Sequence, residues 1–77
     1  MPYYNFIWDE DSEQHVAEHG ITIEEFEAVV SNPESTGTSR STGRPMAFGY
    51  TDDGREIACI YEVEDGFDVF PVTAFEV

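Results

Sequence analysis

Three arginines are the only lysine or arginine side chains in this sequence of 77 residues. Arg40 and Arg44 lie four residues apart in the stretch TSRSTGRP, and Arg55 follows one predicted hairpin later. Guanidinium groups bind phosphates and carboxylates through paired, charge-assisted hydrogen bonds. We therefore expect Arg40, Arg44 and Arg55 to form an anion-binding site if the fold brings them together. The alternative is that each arginine pairs with a neighbouring carboxylate on an acidic surface.

Two histidines are the next candidates for chemistry. His15 and His19 have the i, i+4 spacing that places two metal ligands on one face of a helix. No HExxH motif or cysteine accompanies them, so the sequence predicts no metal site and no cofactor. His19 could act as a general base, because an unperturbed imidazole has a pKa of about 6.5. The alternative is that His19 ends a helix or packs beneath Trp8.

Carboxylates dominate the charge of the chain. Seventeen Asp and Glu residues give a formal net charge of -14 at pH 7, which repels nucleic-acid phosphates over a Debye length of roughly 8 to 10 Å. We expect nucleic-acid binding to be weak or absent. We consider three interpretations of the acidity. The carboxylates could form an ordinary solvated surface, they could adapt the protein to a salty host, or they could form a surface that binds a basic partner or mimics nucleic acid.

The size of the chain predicts a single small domain, residues 1–77, and 40% apolar residues are enough for a core. Cys59 is the only cysteine and lies in the apolar run IACIY, as a core residue would. The sequence starts without a signal-peptide pattern and has no stretch near the roughly 20 apolar residues of a membrane span. We expect a cytoplasmic protein that does not enter a membrane. Because so small a domain buries little surface, we also expect a protein partner or self-association.

The first elements are a strand and a helix. Aromatic residues alternate in YNFIW, residues 4 to 8, and this alternation predicts a strand. Asp9 or Asp11 can cap a helix that runs to about His19, and Gly20 supplies the left-handed residue that ends it.

The second helix has a capping box at its start. Thr22 is placed to be the N-cap, and Glu25 stands at the third helical position. An apolar stripe at helical spacing should face the core, whereas Glu24 and Glu27 should face water. Pro33 ends the helix.

In the second half of the sequence, apolar residues recur at every second position. Residues 46 to 50, 56 to 63 and 67 to 74 predict three antiparallel strands joined by the turns TDDG and EDG. The second of these strands should be central because it is apolar on both faces, and Pro71 places the third at an edge or marks a bend. Residues 31 to 45 add at most one further strand. The predicted fold is α+β, in the order β-α-α-(β)-β-β-β, with two helices packed on one face of an antiparallel sheet.

Short motifs at the ends of these elements match one known family. They are Trp8-Asp9 after the first strand, His19-Gly20 after the first helix, Ile23-Glu24-Glu25 in the second helix, Arg44 and Gly49 about the next strand, and Gly54-Arg55 before the strand that follows. In these motifs the chain resembles the BrnT-type toxins of bacterial toxin-antitoxin pairs over most of its length. The resemblance implies a RelE-like fold, a ribonuclease ancestry and a small antitoxin-like protein partner.

Departures from the family pattern bear on activity. Phe75 stands where the family has an arginine in the last strand, Glu18 stands where it has a lysine, and no basic C-terminal helix follows. Because RNA cleavage on this fold relies on cations at the phosphate, the resemblance implies a partner-binding module with a degenerate nuclease site. One alternative is a weak or restricted ribonuclease, and another is an acidic adaptor or nucleic-acid mimic without a catalytic site. The catalytic residues of the ribonuclease would be His19, Arg44, Arg55 and Tyr61.

Overall fold

Two helices and five strands make up residues 4–77, the part of the chain that the computed structural model describes. The predicted domain 1–77 therefore includes three residues that lie outside the described part. The elements are β1 (Asn5–Phe6), α1 (Glu10–Glu18), α2 (Ile23–Ser31), β2 (Ser35–Thr38), β3 (Pro45–Tyr50), β4 (Glu56–Glu64) and β5 (Asp68–Glu76). The α+β class predicted from the sequence is confirmed.

The five strands form one mixed sheet in the order β1-β5-β4-β3-β2. The predicted antiparallel arrangement holds for β2 to β5 and is wrong for β1, which pairs with β5 in parallel. Alternation in a sequence determines which side chains share a face, but it does not specify the neighbouring strand or its direction. β1 is also shorter than the predicted strand 4 to 8, because Trp8 leaves the ladder and packs its ring on Phe26, with ring centroids 5.1 Å apart.

The central position predicted for β4 is confirmed, since β3 and β5 flank it. A register shift interrupts the β4–β5 ladder between Ile60 and Tyr61, where Pro71 lies opposite Tyr61. Proline has no N–H for the ladder, so this position at a bend is one of the few that a sheet offers it. β2 is the optional strand of the predicted order, and all four of its residues are exposed.

Both helices begin at capping boxes. Asp9 caps α1 by accepting a hydrogen bond of 2.8 Å from the Ser12 N–H, and Thr22 caps α2 together with Glu25, as predicted. His19 is the C-cap residue of α1, and Gly20 follows with φ of 72°, the left-handed conformation that ends the helix. Neither helix in residues 4–77 is long and apolar enough to cross a membrane.

The core lies between the two helices and one face of the sheet. Its largest fully buried side chains are Phe26, Ile57, Val16, Val69 and Cys59. Glu27 faces water only in part, because its carboxylate accepts a 2.9 Å hydrogen bond from the Trp8 indole N–H. The Trp8 side chain is half-buried, and Glu27 of α2 provides the acceptor that its N–H needs.

Candidate functional site

The three arginines do not meet in one pocket. Arg44 immediately precedes β3, and Arg55 immediately precedes the antiparallel strand β4. The two residues therefore lie at opposite ends of β3, whose six residues span about 20 Å at roughly 3.3 Å per residue. Arg40 is exposed in the turn between β2 and β3. The three arginines therefore lie apart, and whether each pairs with a carboxylate depends on its own surroundings.

Arg55 is held by three partners at one end of the sheet. Its Nε lies 3.0 Å from Asp53 Oδ2, its Nη2 lies 3.2 Å from Glu25 Oε2, and its Nη1 donates to the Gly20 carbonyl over 3.1 Å. A hydrogen bond from Thr51, followed by the one from Arg55, lowers the pKa of Asp53. Two carboxylates thus neutralise Arg55, and the side chain ties the β3–β4 turn to the chain between the helices.

Arg44, at the opposite end of β3 from Arg55, pairs with Glu62. The Arg44 Nε atom lies 3.0 Å from Glu62 Oε1. Both side chains are well exposed, at 36% and 54%, so water screens this pair and it contributes little to stability. For Arg40, residues 4–77 contain no ion pair within 4.0 Å. The anion-binding residues predicted from the sequence are therefore two paired arginines and one on a turn.

The four predicted catalytic residues are brought together only in part. Arg55 donates to the carbonyl of Gly20, the residue after His19, so the chain at His19 passes near Arg55. Tyr61 is 9% exposed in the core, and burial raises the pKa of its hydroxyl. Arg44 lies on the opposite face of the sheet, since its partner Glu62 follows Tyr61 along β4. An RNA phosphate could not reach all four residues at once.

The remaining candidates for chemistry also have structural roles. The Nδ1 atom of His15 lies 3.2 Å from the Val72 carbonyl oxygen, which joins α1 to β5. The described residues contain no cluster of three metal-ligating side chains. Burial raises the pKa of the Cys59 thiol to about 12, so this thiol is not a nucleophile at neutral pH.

The feature that sequence reasoning missed is the sheet face opposite the helices. The register places alternate residues of β3, β4 and β5 on this face. We call it the open face, and its apolar residues are Met46, Phe48, Ala58, Ile60, Phe70 and Phe75. The signal in the sequence was β4 itself, whose apolar residues alternate onto both faces although helices cover only one.

The open face has an apolar centre. Phe48 and Phe75 lie on either side of Ala58 in the register, and Ala58 is fully buried although no helix within residues 4–77 covers it. The Phe48 ring also approaches β2, since a Cβ added to Gly37 would lie 3.4 Å from Phe48 Cε2. The larger apolar side chains around Ala58 stay partly exposed. They form a continuous apolar surface rather than isolated exposed residues.

Carboxylates surround this apolar centre at both ends of the strands. Glu56 lies at one end of β4, and Glu62, Glu64 and Asp68 lie at the other end on the same face, where Glu62 is paired with Arg44. A cleft of about 350 Å³ opens beside the second end, and Asp9 and Asp11 of the α1 region also line it. The open face thus combines an apolar centre with an acidic rim, which is complementary to a partner that is apolar and basic.

Comparisons with known proteins identify no relative. No protein-family model matches the chain, and neither a curated protein nor a solved structure matches it. The resemblance to the BrnT-type toxins stays a prediction from the motifs.

Proposed function

We propose that this protein is a toxin-like partner-binding module whose open face binds an apolar, basic segment of another protein. The observation that carries the proposal is the set of large apolar side chains that remain partly exposed on this face. They are Met46, Phe48, Ile60, Phe70 and Phe75.

Aromatic residues at the centre of an apolar surface are typical of the positions that contribute most to protein-protein affinity. Phe48 and Phe75 occupy the central positions here, on either side of the buried Ala58. The acidic rim would attract a basic partner and increase its association rate at low salt.

A second copy of the chain fits this face less well than a basic partner. Two copies would each bring a net charge of -14 and would place the same carboxylates opposite one another. Like charges across an interface cost free energy and slow association. The charge therefore favours a partner of opposite sign over self-association.

The proposed lineage is that of the BrnT-type toxins, so the proposed partner is a small antitoxin-like protein. The motifs named above support this lineage, and the α+β order with two adjacent helices is compatible with it. A neighbouring reading frame for a small basic protein would support the lineage further. Its absence would favour an acidic adaptor, which could use the same open face.

The ribonuclease alternative has less support. Arg55 contacts the residue after His19, but two carboxylates neutralise Arg55, and Tyr61 and Arg44 lie elsewhere. Stabilisation of a phosphoryl-transfer transition state needs cations directed at the phosphate. We therefore propose binding without RNA cleavage.

A peptide titration tests the proposed function. A short amphipathic peptide of leucine and lysine should bind at low salt and shift the amide resonances of β3, β4 and β5. The same peptide with glutamate in place of lysine should not bind, because the acidic rim repels it. Affinity for the lysine peptide should fall as salt is added.

Two phenylalanine variants provide a matched comparison. Phe48→Ser removes a central ring of the open face and should weaken binding by roughly tenfold or more. Phe67→Ser removes a ring that is 50% exposed in the β4–β5 turn, and binding should be unchanged. Equal binding by both variants, or shifts confined to the helices, would contradict the proposal.

A further inference from the structure

The two edges of the sheet differ in how they are protected. On the β5 side, β1 pairs with Asp68 and Val69, and His15 of α1 contacts the Val72 carbonyl. On the other side, β2 ends the sheet, and all four of its residues are exposed. Of the two edges, β2 is the one that is exposed along its whole length.

The register shows which backbone groups of β2 point outwards. The Ser39 N–H donates to the Arg44 carbonyl over 2.8 Å, which makes this a hydrogen-bonded pair of the β2–β3 hairpin. Hydrogen-bonded and non-hydrogen-bonded pairs alternate along an antiparallel ladder. Gly37 therefore bonds to β3, whereas Thr36 and Thr38 direct their N–H and C=O groups away from the sheet.

β2 also lacks the features that protect edge strands from pairing. Protected edges carry charged side chains, prolines or bulges. The four residues of β2, STGT, include none of these, although Pro33 and Glu34 directly precede them and the Glu34 N–H also bonds to the Phe48 carbonyl opposite Ser35. An added strand would meet no steric or electrostatic obstacle within β2.

The edge continues directly into the open face. Ser35 and Gly37 lie opposite Phe48 and Met46 in the register, and the Phe48 ring lies against Gly37. A strand added beside β2 would direct alternate side chains onto the same face, next to that ring. Four residues of ladder give only a few hydrogen bonds, so the apolar contact would have to supply much of the affinity.

We infer that the partner binds in extended form, pairing its backbone with β2 while its alternate apolar side chains extend the open face. This inference rests on the proposed function and specifies its binding mode. The net charge of -14 favours a basic partner segment; of the charged residues next to β2, Glu34 precedes the strand and Arg40 follows it. The same charge disfavours β2 pairing between two copies of this chain.

Two variants of Thr36 test the inference. Thr36→Pro removes an outward N–H that the β2–β3 ladder does not use, and proline is tolerated at such edge positions. Thr36→Val keeps the N–H and the branched shape. A short peptide of alternating valine and lysine should bind the Thr36→Pro protein roughly tenfold more weakly than wild type. It should bind the Thr36→Val protein as well as wild type, and thermal melts of both variants establish that they are folded.

The outcomes separate this inference from the proposed function. If the helical leucine-lysine peptide binds more tightly than the alternating peptide, or if Thr36→Pro has no effect while Phe48→Ser still abolishes binding, the open face is used and strand addition is wrong. If neither peptide binds, both proposals fail. Dimerisation at low salt that Thr36→Pro abolishes would assign the edge to a second copy and overturn the inference.

Discussion

At the scale of single residues, the packing of α2 on the sheet depends on one glycine. Gly49 of β3 faces α2, and a Cβ at this position would lie 3.1 Å from both Cγ atoms of Val29. Val29 is itself buried, so it has little room to move. The absence of a side chain at Gly49 lets α2 pack directly on the backbone of the sheet.

We predict that Gly49→Ala destabilises the protein by about 1 to 2 kcal/mol. Overpacking of a core costs roughly 1 to 3 kcal/mol, and the better strand propensity of alanine offsets about 0.5 to 1 kcal/mol of it. Urea unfolding at neutral pH measures the change. Gly37→Ala is the matched control, because its Cβ would make ordinary contact, so this variant should keep the propensity gain of about 0.5 to 1 kcal/mol and be no less stable than wild type. Equal stability of the two variants would show that α2 can move away from β3.

At the scale of elements, the start of α1 depends on an ionised side chain. Asp9 accepts hydrogen bonds from the Ser12 backbone N–H and the Ser12 hydroxyl, and the first of these is the main reason that its pKa is lowered. The carboxylate also lies at the N-terminus of α1, where the helix dipole favours a negative charge. The cap therefore links helix formation to pH.

We predict that this contribution to stability is lost in acid. Because the folded pKa of Asp9 lies below its unfolded value of about 3.9, the contribution is present above that value and disappears as pH falls through the folded pKa. Asp9→Asn keeps a capping side chain that does not titrate. Urea unfolding from pH 7 down to about pH 2.5 should show the stability of wild type falling relative to Asp9→Asn below about pH 4.

The control for this pH series is Glu13→Gln, which removes a carboxylate from the same helical turn without touching the cap. Its stability relative to wild type should vary less with pH than that of Asp9→Asn. A constant difference between wild type and Asp9→Asn across the series would contradict the role assigned to the ionised cap.

At the scale of the whole molecule, carboxylates far outnumber cationic side chains, 17 Asp and Glu against 3 arginines. Only three of the 17 carboxylates, those of Glu25, Asp53 and Glu62, form ion pairs with arginine in the described residues. The other carboxylates repel one another across a small surface. Net charge far from zero destabilises a compact state in this way.

We predict that the melting temperature rises as NaCl is added up to about 0.5 M, because salt screens repulsion between exposed charges. Differential scanning calorimetry measures the change, and KCl should give the same curve if screening is the cause. A melting temperature that stays constant or falls would mean that the ion pairs of Arg44 and Arg55 outweigh the repulsion.

The sequence alone determined the features that form between residues close along the chain. The capping box of Thr22 and Glu25, the helix end at Gly20 and the hairpins between β3, β4 and β5 were all predictable. Each of these features depends on hydrogen bonds or turns between residues close along the chain, where residue type limits the conformation directly.

The tertiary structure decided which distant parts of the chain come together. The parallel pairing of β1 with β5 joins Asn5 to Asp68, and no local pattern specifies a partner so distant. The separation of Arg44 from Arg55 follows from the antiparallel direction of β3 and β4, although the two arginines are near in sequence. The open face likewise required the placement of both helices. The sequence of β4 shows that the strand is apolar on both faces. Only packing determines which face the helices cover and which face remains exposed.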